Sequence, residues 1–358
     1  MPQHGCTAPS GKLRKIQPMD KFLTYTAEQR ERAIRETAAR MQLHPTPVEK
    51  DFWVCYLLRE LFNLSCVKDH LIFKGGTSLS KGYGVIKRFS EDIDLSVHAS
   101  AFGVEIESNF SELSKSQRDN RIKSLYRAAR QFIEGTLTPE LAQHLEATLG
   151  DSEWSLELRE VKKDFHILRF RYPKVIADAE QLRYARPYIQ IEISARAEHE
   201  PAEVRTVRPY IAEQFETLFE KAETPIKILA AKRTFWEKAT ILHAESTRPA
   251  NEPMPPRLAR HAYDLHQLLE CGIGKDAFDE IELLERVAKH KAFFYTQAGV
   301  DYQQAYSGGL KVAPEGDRQV ELEKDYKDMR DFFMSDPPNF NAVLNSLKAI
   351  ESQANHHQ

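Results

Sequence analysis

The sequence is short of cysteine, and what it has is scattered. Cys6, Cys55, Cys66 and Cys271 form no C-x-x-C pair, which excludes a disulfide framework and a cysteine-built zinc site. Cys55 and Cys66 lie in apolar helical surroundings and read as small core residues. No apolar run approaches the roughly 18 residues of a membrane span. The polar start "MPQHGCTAPSGKLRKIQP" lacks the apolar stretch of a signal peptide. Residues 1–24 therefore read as a flexible arm, and the protein as cytoplasmic with no membrane partner. Positive charge is not in excess either: 50 Lys and Arg stand against 53 Asp and Glu, a net charge of -3. That argues against coating nucleic acid through global charge, so a nucleic-acid substrate needs a local patch. Repeats, low-complexity tracts and the Walker A pattern G-x-x-x-x-G-K-[ST] are also missing.

What is present is a globular composition, 41% hydrophobic and 29% charged, over 358 residues. That length supports one large domain or two ordinary ones. "TAEQRERAIRETAARM" has helical spacing with Thr26 as N-cap. "TPVEKDFWVCYLLRELFNL" reads as a buried helix capped by Thr46, with Pro47 at its first position. "HLIFKGG" is a strand or the entry to a turn, and "TSLSKGYGVIKR" a helix weakened by Gly82 and Gly84. Residues 110–148 are amphipathic and helical, with Pro139 starting a second helix. "DFHILRFRYPKV" and "RPYIQIEISARAE" alternate as two neighbouring strands. "PIKILAAKRTFWEKATIL" reads as a strong helix, and "LARHAYDLHQLLECG" as one closed by Gly272. The predicted fold class is α+β: an arm over 1–24, a sheet-bearing domain over 25–209 and an all-helical domain over 210–358.

The chemistry concentrates in "FKGGTSLSKGYGVIKRFSEDIDLSV". In "SEDIDLSVHA", Ile93, Leu95 and Val97 share one face of a strand, and Asp92, Asp94 and Ser96 the other. Two carboxylates that close repel unless a cation lies between them. All-carboxylate ligation suits Mg²⁺ or Mn²⁺ and not zinc. Gly75 and Gly76 let backbone approach a phosphate, the following helix start offers N–H groups, and Thr77 and Ser78 add hydroxyls. A bare D-x-D describes a solvated edge strand equally well. The glycine turn upstream shifts the reading to a device for holding a nucleoside triphosphate with its metal. A third carboxylate is needed to activate an attacking hydroxyl. Glu192 supplies it, on the polar face of a strand whose Ile189, Ile191 and Ile193 point the other way. Lys81 and Arg88 are candidate phosphate ligands or fold-bracing cations.

This order resembles the polymerase-β-type nucleotidyltransferases, whose signature is G-[GS], a short helix and a strand bearing [DE]-x-[DE]. The ending Arg88-Phe89-Ser90-Glu91-Asp92-Ile93-Asp94 is similar to that of the AbiEii/AbiGii toxin family. "ILAAKRTFWEKA" looks like its second motif, and the resemblance maps the active-site lysine to Lys232. "RHAYDLHQLL" looks like a third, mapping Arg260 and Asp264, and "SGGLKVAP" with "LEKDYKDM" resembles the family's tail. The resemblance implies a polymerase-β-like core, a small mixed sheet flanked by helices, with a helical C-terminal domain. It also implies a growth-inhibiting toxin of a toxin–antitoxin or phage-defence pair, with a cognate antitoxin as partner and the 3′ end of tRNA as acceptor. Lys232 would then meet the triphosphate, and Asp264 would orient that lysine or the nucleotide. Arginines interleaved with aromatics in "DFHILRFRYPK" and "QLRYARP" suit an RNA-facing edge, although they equally describe a half-buried strand. The rivals are a same-fold enzyme acting on a protein or small molecule, and a non-catalytic nucleotide-binding module.

Overall fold

The structure, a computed structural model, describes residues 18–90, 92–104, 113–161, 165–177, 186–196, 198–249, 252–295 and 299–357. Most of the expected arm, together with Cys6, Glu91 and most of "QLRYARP", lies outside them. Residues 18–24 do not behave as an arm: Pro18–Thr24 is a 3-10 helix that buries Met19 and Phe22, with Asp20 paired to Arg59.

Two helices open the chain, α1 (Ala27–Met41) and α2 (Pro45–Asn63). Thr26 caps α1 in a reciprocal box with Gln29. α2 starts two residues before the predicted position, because the His44 ring accepts from Thr46 N and Pro45 occupies the first turn. Nearly all of α2 is buried, which accounts for its apolar residues on every side. Then follow β1 (Leu71–Lys74), α3 (Gly75–Lys81) and β2 (Ile93–Val97). α3 ends earlier than its apolar pattern suggests, at Gly82, and Gly84 lies beyond it with φ +65°. α4 (Lys115–Phe132) runs through a π-helical turn into α5 (Thr138–Leu149).

β3 (Ser155–Val161), β4 (Phe165–Arg171), β5 (Ile189–Ser194) and β6 (Ala202–Val207) precede the short α6 (Tyr210–Gln214), and β7 (Thr224–Leu229) follows it. The seven strands form one mixed sheet in the order β3-β4-β5-β2-β1-β7-β6. The sheet therefore continues to Leu229, past the predicted boundary at 209. "PIKIL", whose sequence predicts the start of a helix, lies in the strand β7, parallel to β1 through Phe73 and Ile228. One sheet face carries Phe73, Ile93, Leu95 and Ile191 into a core shared with Phe52, Trp53 and Leu57 of α2.

The rest of the chain is helical: α7 (Ala231–Thr247), α8 (Ala259–Glu270), α9 (Ile273–Phe278), α10 (Glu282–Phe294), α11 (Gly316–Asp328) and α12 (Phe340–His356). A second core joins Phe235, Trp236 and Leu242 of α7 to Leu265 and Leu268 of α8 and Leu347 of α12. The segment after α11 is tied to the motif loop, since Phe89 N donates to Phe332 O at 2.6 Å and Met334 N to Lys87 O at 3.0 Å. Among the described residues no helix is long and apolar enough to cross a membrane.

Candidate active site

Strand register brings the predicted carboxylates together. Lys74 on β1 is the partner of Asp94 on β2, and Asp94 is the partner of Glu192 on β5. Partners on adjacent strands share a face, so Lys74, Asp94 and Glu192 form one row across the centre of the sheet. Asp92 precedes β2 by one residue and lies on the same side by alternation. The row forms one wall of a cavity of about 740 Å³ that also takes in Gly75, Gly76, Asp92 and residues of α7, α8 and α10.

The glycines have a geometric role. Gly75 has φ +80°, a conformation that disfavours any side chain, and its bare Cα lies against Asp94. A Cβ on Gly76 would stand 2.7 Å from Arg88 Nη2. The hydroxyls behave differently from the prediction. Thr77 is buried, donates to Asp92 O at 2.5 Å and meets Ser90 Oγ at 2.8 Å. Ser78 is buried and donates to Gly75 O at 2.9 Å. Neither lines the cavity; Thr77 holds the turn against the D-x-D segment, and Ser78 closes the turn on itself.

Like charge and burial leave a mark on the row. Burial, then the charge of Asp94, pushes the Glu192 carboxyl above its ordinary range, with Asp92 adding to the effect. The Gln190 amide, donating to Glu192 Oε1 at 2.7 Å, acts in the opposite sense and fixes the side chain. Burial works against the Lys74 ammonium, but Asp94, Glu237 and Glu192 together hold it above its ordinary range. Across the cavity Lys291 of α10 goes the other way. Burial lowers it to about 8, and Lys74, Arg196 and Arg233 oppose its charge against the pull of Glu237.

Asp264 is wholly buried and does not face solvent. Its carboxylate receives both Nε and Nη2 of Arg88, at 2.8 and 2.7 Å, and Lys238 Nζ at 2.8 Å. Despite burial, these two cations hold its carboxyl below the usual range. Arg88, Lys238 and Arg260 line the cavity. Lys232 is not brought there: it points outward and pairs with Glu280 at 2.5 Å. Lys238 lies six residues further along α7, about 120° around the helix, and is the lysine facing the site. Lys81 also leaves the site. It forms a buried pair with Asp51 at 2.7 Å beneath the Tyr210 ring, which makes it a fold-bracing cation. Sequence reasoning missed Lys74, Glu237, Lys238 and Lys291. Lys238 sits inside the quoted "FWEKA" and could have been weighed equally; Lys74 becomes visible only through strand register.

Among the described residues no three His, Cys, Asp or Glu side chains already converge as a metal cage. Asp92, Asp94 and Glu192 are hard oxygen donors on one wall, and a cation there would relieve their mutual repulsion. That donor set suits an ion that takes one or two carboxylates and fills its shell from water and substrate phosphates.

The chain can now be set beside known proteins. A search of curated protein sequences finds no match. Among solved structures, the chain is similar to the nucleotidyltransferase toxin MenT4 from Mycobacterium tuberculosis H37Rv. The two are 16% identical, with a TM-score of 0.43, over 88% of this chain and 98% of that one. The profile of the family described as "Nucleotidyl transferase AbiEii toxin, Type IV TA system" matches residues 56–346, which hold both glycines, the carboxylate row, Lys238 and Asp264. The chain belongs to the AbiEii family of nucleotidyltransferase toxins.

Proposed function

We propose that the protein is a Mg²⁺-dependent toxin that moves a nucleoside monophosphate from an NTP to the 3′-terminal hydroxyl of an RNA, with tRNA as acceptor. It would act in the cytoplasm, where NTP and tRNA pools lie, within a toxin–antitoxin or phage-defence pair whose antitoxin restrains it. The observation that carries this reading is the register-aligned row of Lys74, Asp94 and Glu192 beside the Gly75–Gly76 turn.

In the proposed step the acceptor hydroxyl oxygen attacks the α-phosphorus, the bond to the bridging β-phosphate oxygen breaks, and pyrophosphate leaves. The hydroxyl proton passes to the Glu192 carboxylate, which strand pairing holds beside Asp94. A divalent ion held by Asp92, Asp94 and Glu192, Mg²⁺ or Mn²⁺, would supply charge neutralisation on the triphosphate. Gly75 and Gly76 leave room for the polyphosphate, and Lys238 and Lys291 stabilise charge building on the leaving pyrophosphate. Asp264 positions Lys238 and Arg88 and does not itself touch substrate.

The acceptor is argued from the sheet beyond Glu192. Arg169 is the partner of Gln190 on the same face, and its guanidinium lies 4.7 Å from the Tyr188 ring centre, with Arg171 and Arg186 at 6.0 Å. Arg186 donates to Gln190 at 3.0 Å, and Gln190 to Glu192. Arginines around one aromatic ring, leading into the carboxylate row, suit a single-stranded end: phosphates meet the cations and a base stacks on the ring. This is also the local patch that a net charge of -3 requires.

The test is incubation of the protein with each labelled NTP, Mg²⁺ and total RNA, beside Asp94→Ala. Label on RNA with the wild type alone is the expected result. Label on protein would favour the rival acceptor, and equal labelling by Asp94→Ala would remove this site from the chemistry.

A further inference from the structure

Arg257 adopts a backbone conformation that non-glycine residues avoid, with φ +64°. Residues held there are strained and persist only where surrounding structure holds them. Here the holder is Asp325 on α11, within the "LEKDYKDM" tail. Its carboxylate accepts from Arg257 N at 2.7 Å through Oδ1 and from Ala259 N at 2.7 Å through Oδ2. One side chain thus fixes the strained turn and the first turn of α8 together.

The turn aims the Arg257 side chain. The guanidinium lies 5.0 Å from the Phe332 ring centre and forms part of the cavity wall. Among the described residues it meets that ring and no hydrogen-bond acceptor. Arg260, Arg88 and Arg186 oppose its charge, and Asp92 is the carboxylate that favours it. Arg88 differs, because Asp264 neutralises it. A strained backbone that presents an exposed guanidinium with no ion-pair partner among the described residues to the cavity of the carboxylate row is an arrangement for receiving an anion.

We propose that Arg257 binds the polyphosphate of the incoming nucleotide, and that Asp325 is a positioning residue whose effect on nucleotide binding runs through Arg257. The inference rests on the nucleotidyl-transfer reading of this cavity.

The test uses the full chain and calorimetric titration with ATP, GTP, CTP and UTP, each with Mg²⁺, and with the corresponding nucleosides. Arg257→Gly keeps the backbone conformation and the Asp325 bonds while removing the guanidinium. It is expected to melt within about 3 °C of wild type. Its dissociation constant for the preferred NTP should rise about tenfold or more, with nucleoside binding unchanged and partial rescue by added guanidinium. Asp325→Asn should weaken NTP binding in the wild-type background and add nothing in the Arg257→Gly background, which a merely structural role would not produce. Unchanged NTP affinity in Arg257→Gly, or an effect on RNA binding alone, would overturn the assignment. Failure of the wild type to bind any NTP would instead remove the reading of the cavity, and the assignment with it.

Discussion

The carboxylate of Asp94 stands where a side chain on Gly75 would be: a Cβ placed there would lie 2.1 Å from Asp94 Oδ2. Gly75 also has φ +80°, so the turn and the carboxylate exclude a side chain for separate reasons. Gly75→Ala is expected to destabilise the fold by about 1–3 kcal/mol from backbone strain and to abolish transfer, because Asp94 must move. Denaturant unfolding beside the labelled-NTP assay checks both. An active Gly75→Ala protein would show that Asp94 can shift without loss.

Asp264 is a fully buried carboxylate that pairs with two buried cations at once, Arg88 and Lys238. Asp264→Ala leaves both charges unpaired and is expected to cost about 3–5 kcal/mol, measured by denaturant midpoint at pH 7. Its carboxyl is held below the ordinary range by those cations, so its contribution is present above the unfolded value of about 3.9 and fades as pH falls through the lower folded one. Asp264→Asn should therefore flatten the acid side of the stability profile and lose little further stability below about pH 3.

The sequence made the carboxylate row legible because strand alternation fixes which face a residue takes, and Asp94 and Glu192 both sit opposite isoleucines. The glycine turn was legible for the same local reason. Helix phase was not. "PIKILAAKRTFWEK" reads as one helix because nothing in it marks Ala230 as a boundary; the parallel pairing of β7 with β1 converts its first part to strand. With the helix start misplaced, Lys232 and Lys238 could not be ranked. The edge strands β3 and β6 carry apolar residues on their exposed positions, Leu158 and Val204, so hydrophobicity there does not mark a buried face. Thr77 and Ser78 show the remaining gap: residue type gave hydroxyl donors, while only the fold shows that their acceptors are backbone carbonyls.

The pH dependence of transfer should have two limbs. On the acid side Glu192 must be ionised; without a bound cation, burial with the Asp94 charge places that step above the ordinary glutamate value of about 4.3, and a cation on the carboxylate row moves it down. On the alkaline side Lys291, lowered to about 8, loses its charge, and the KM for NTP should climb above that pH. Lys291→Met should remove the alkaline rise in KM. Glu192→Gln should lower transfer at least 100-fold or so. It should also raise the melting temperature at neutral pH: a carboxyl with a raised folded pKa stabilises while protonated, and that contribution is lost as pH rises through the raised value. The stabilisation by Glu192→Gln should accordingly shrink toward pH 4.

Two lysines on α7 separate the resemblance from the geometry. Lys232 forms an outward pair with Glu280, and exposed pairs contribute about 0–1 kcal/mol. Lys232→Ala should thus leave both stability and transfer within about twofold of wild type. Lys238 faces the carboxylate row and is held by Asp264, so Lys238→Ala removes a charge from where pyrophosphate would develop. Loss of one such donor lowers turnover by about 100- to 1000-fold, and Lys238→Ala should show that loss in kcat. Lys238→Met retains the buried stem and separates folding from chemistry: near-native unfolding with the same kinetic loss is expected. If Lys232→Ala were the inactive variant and Lys238→Ala the active one, the α7 face assigned to the site would be the wrong one.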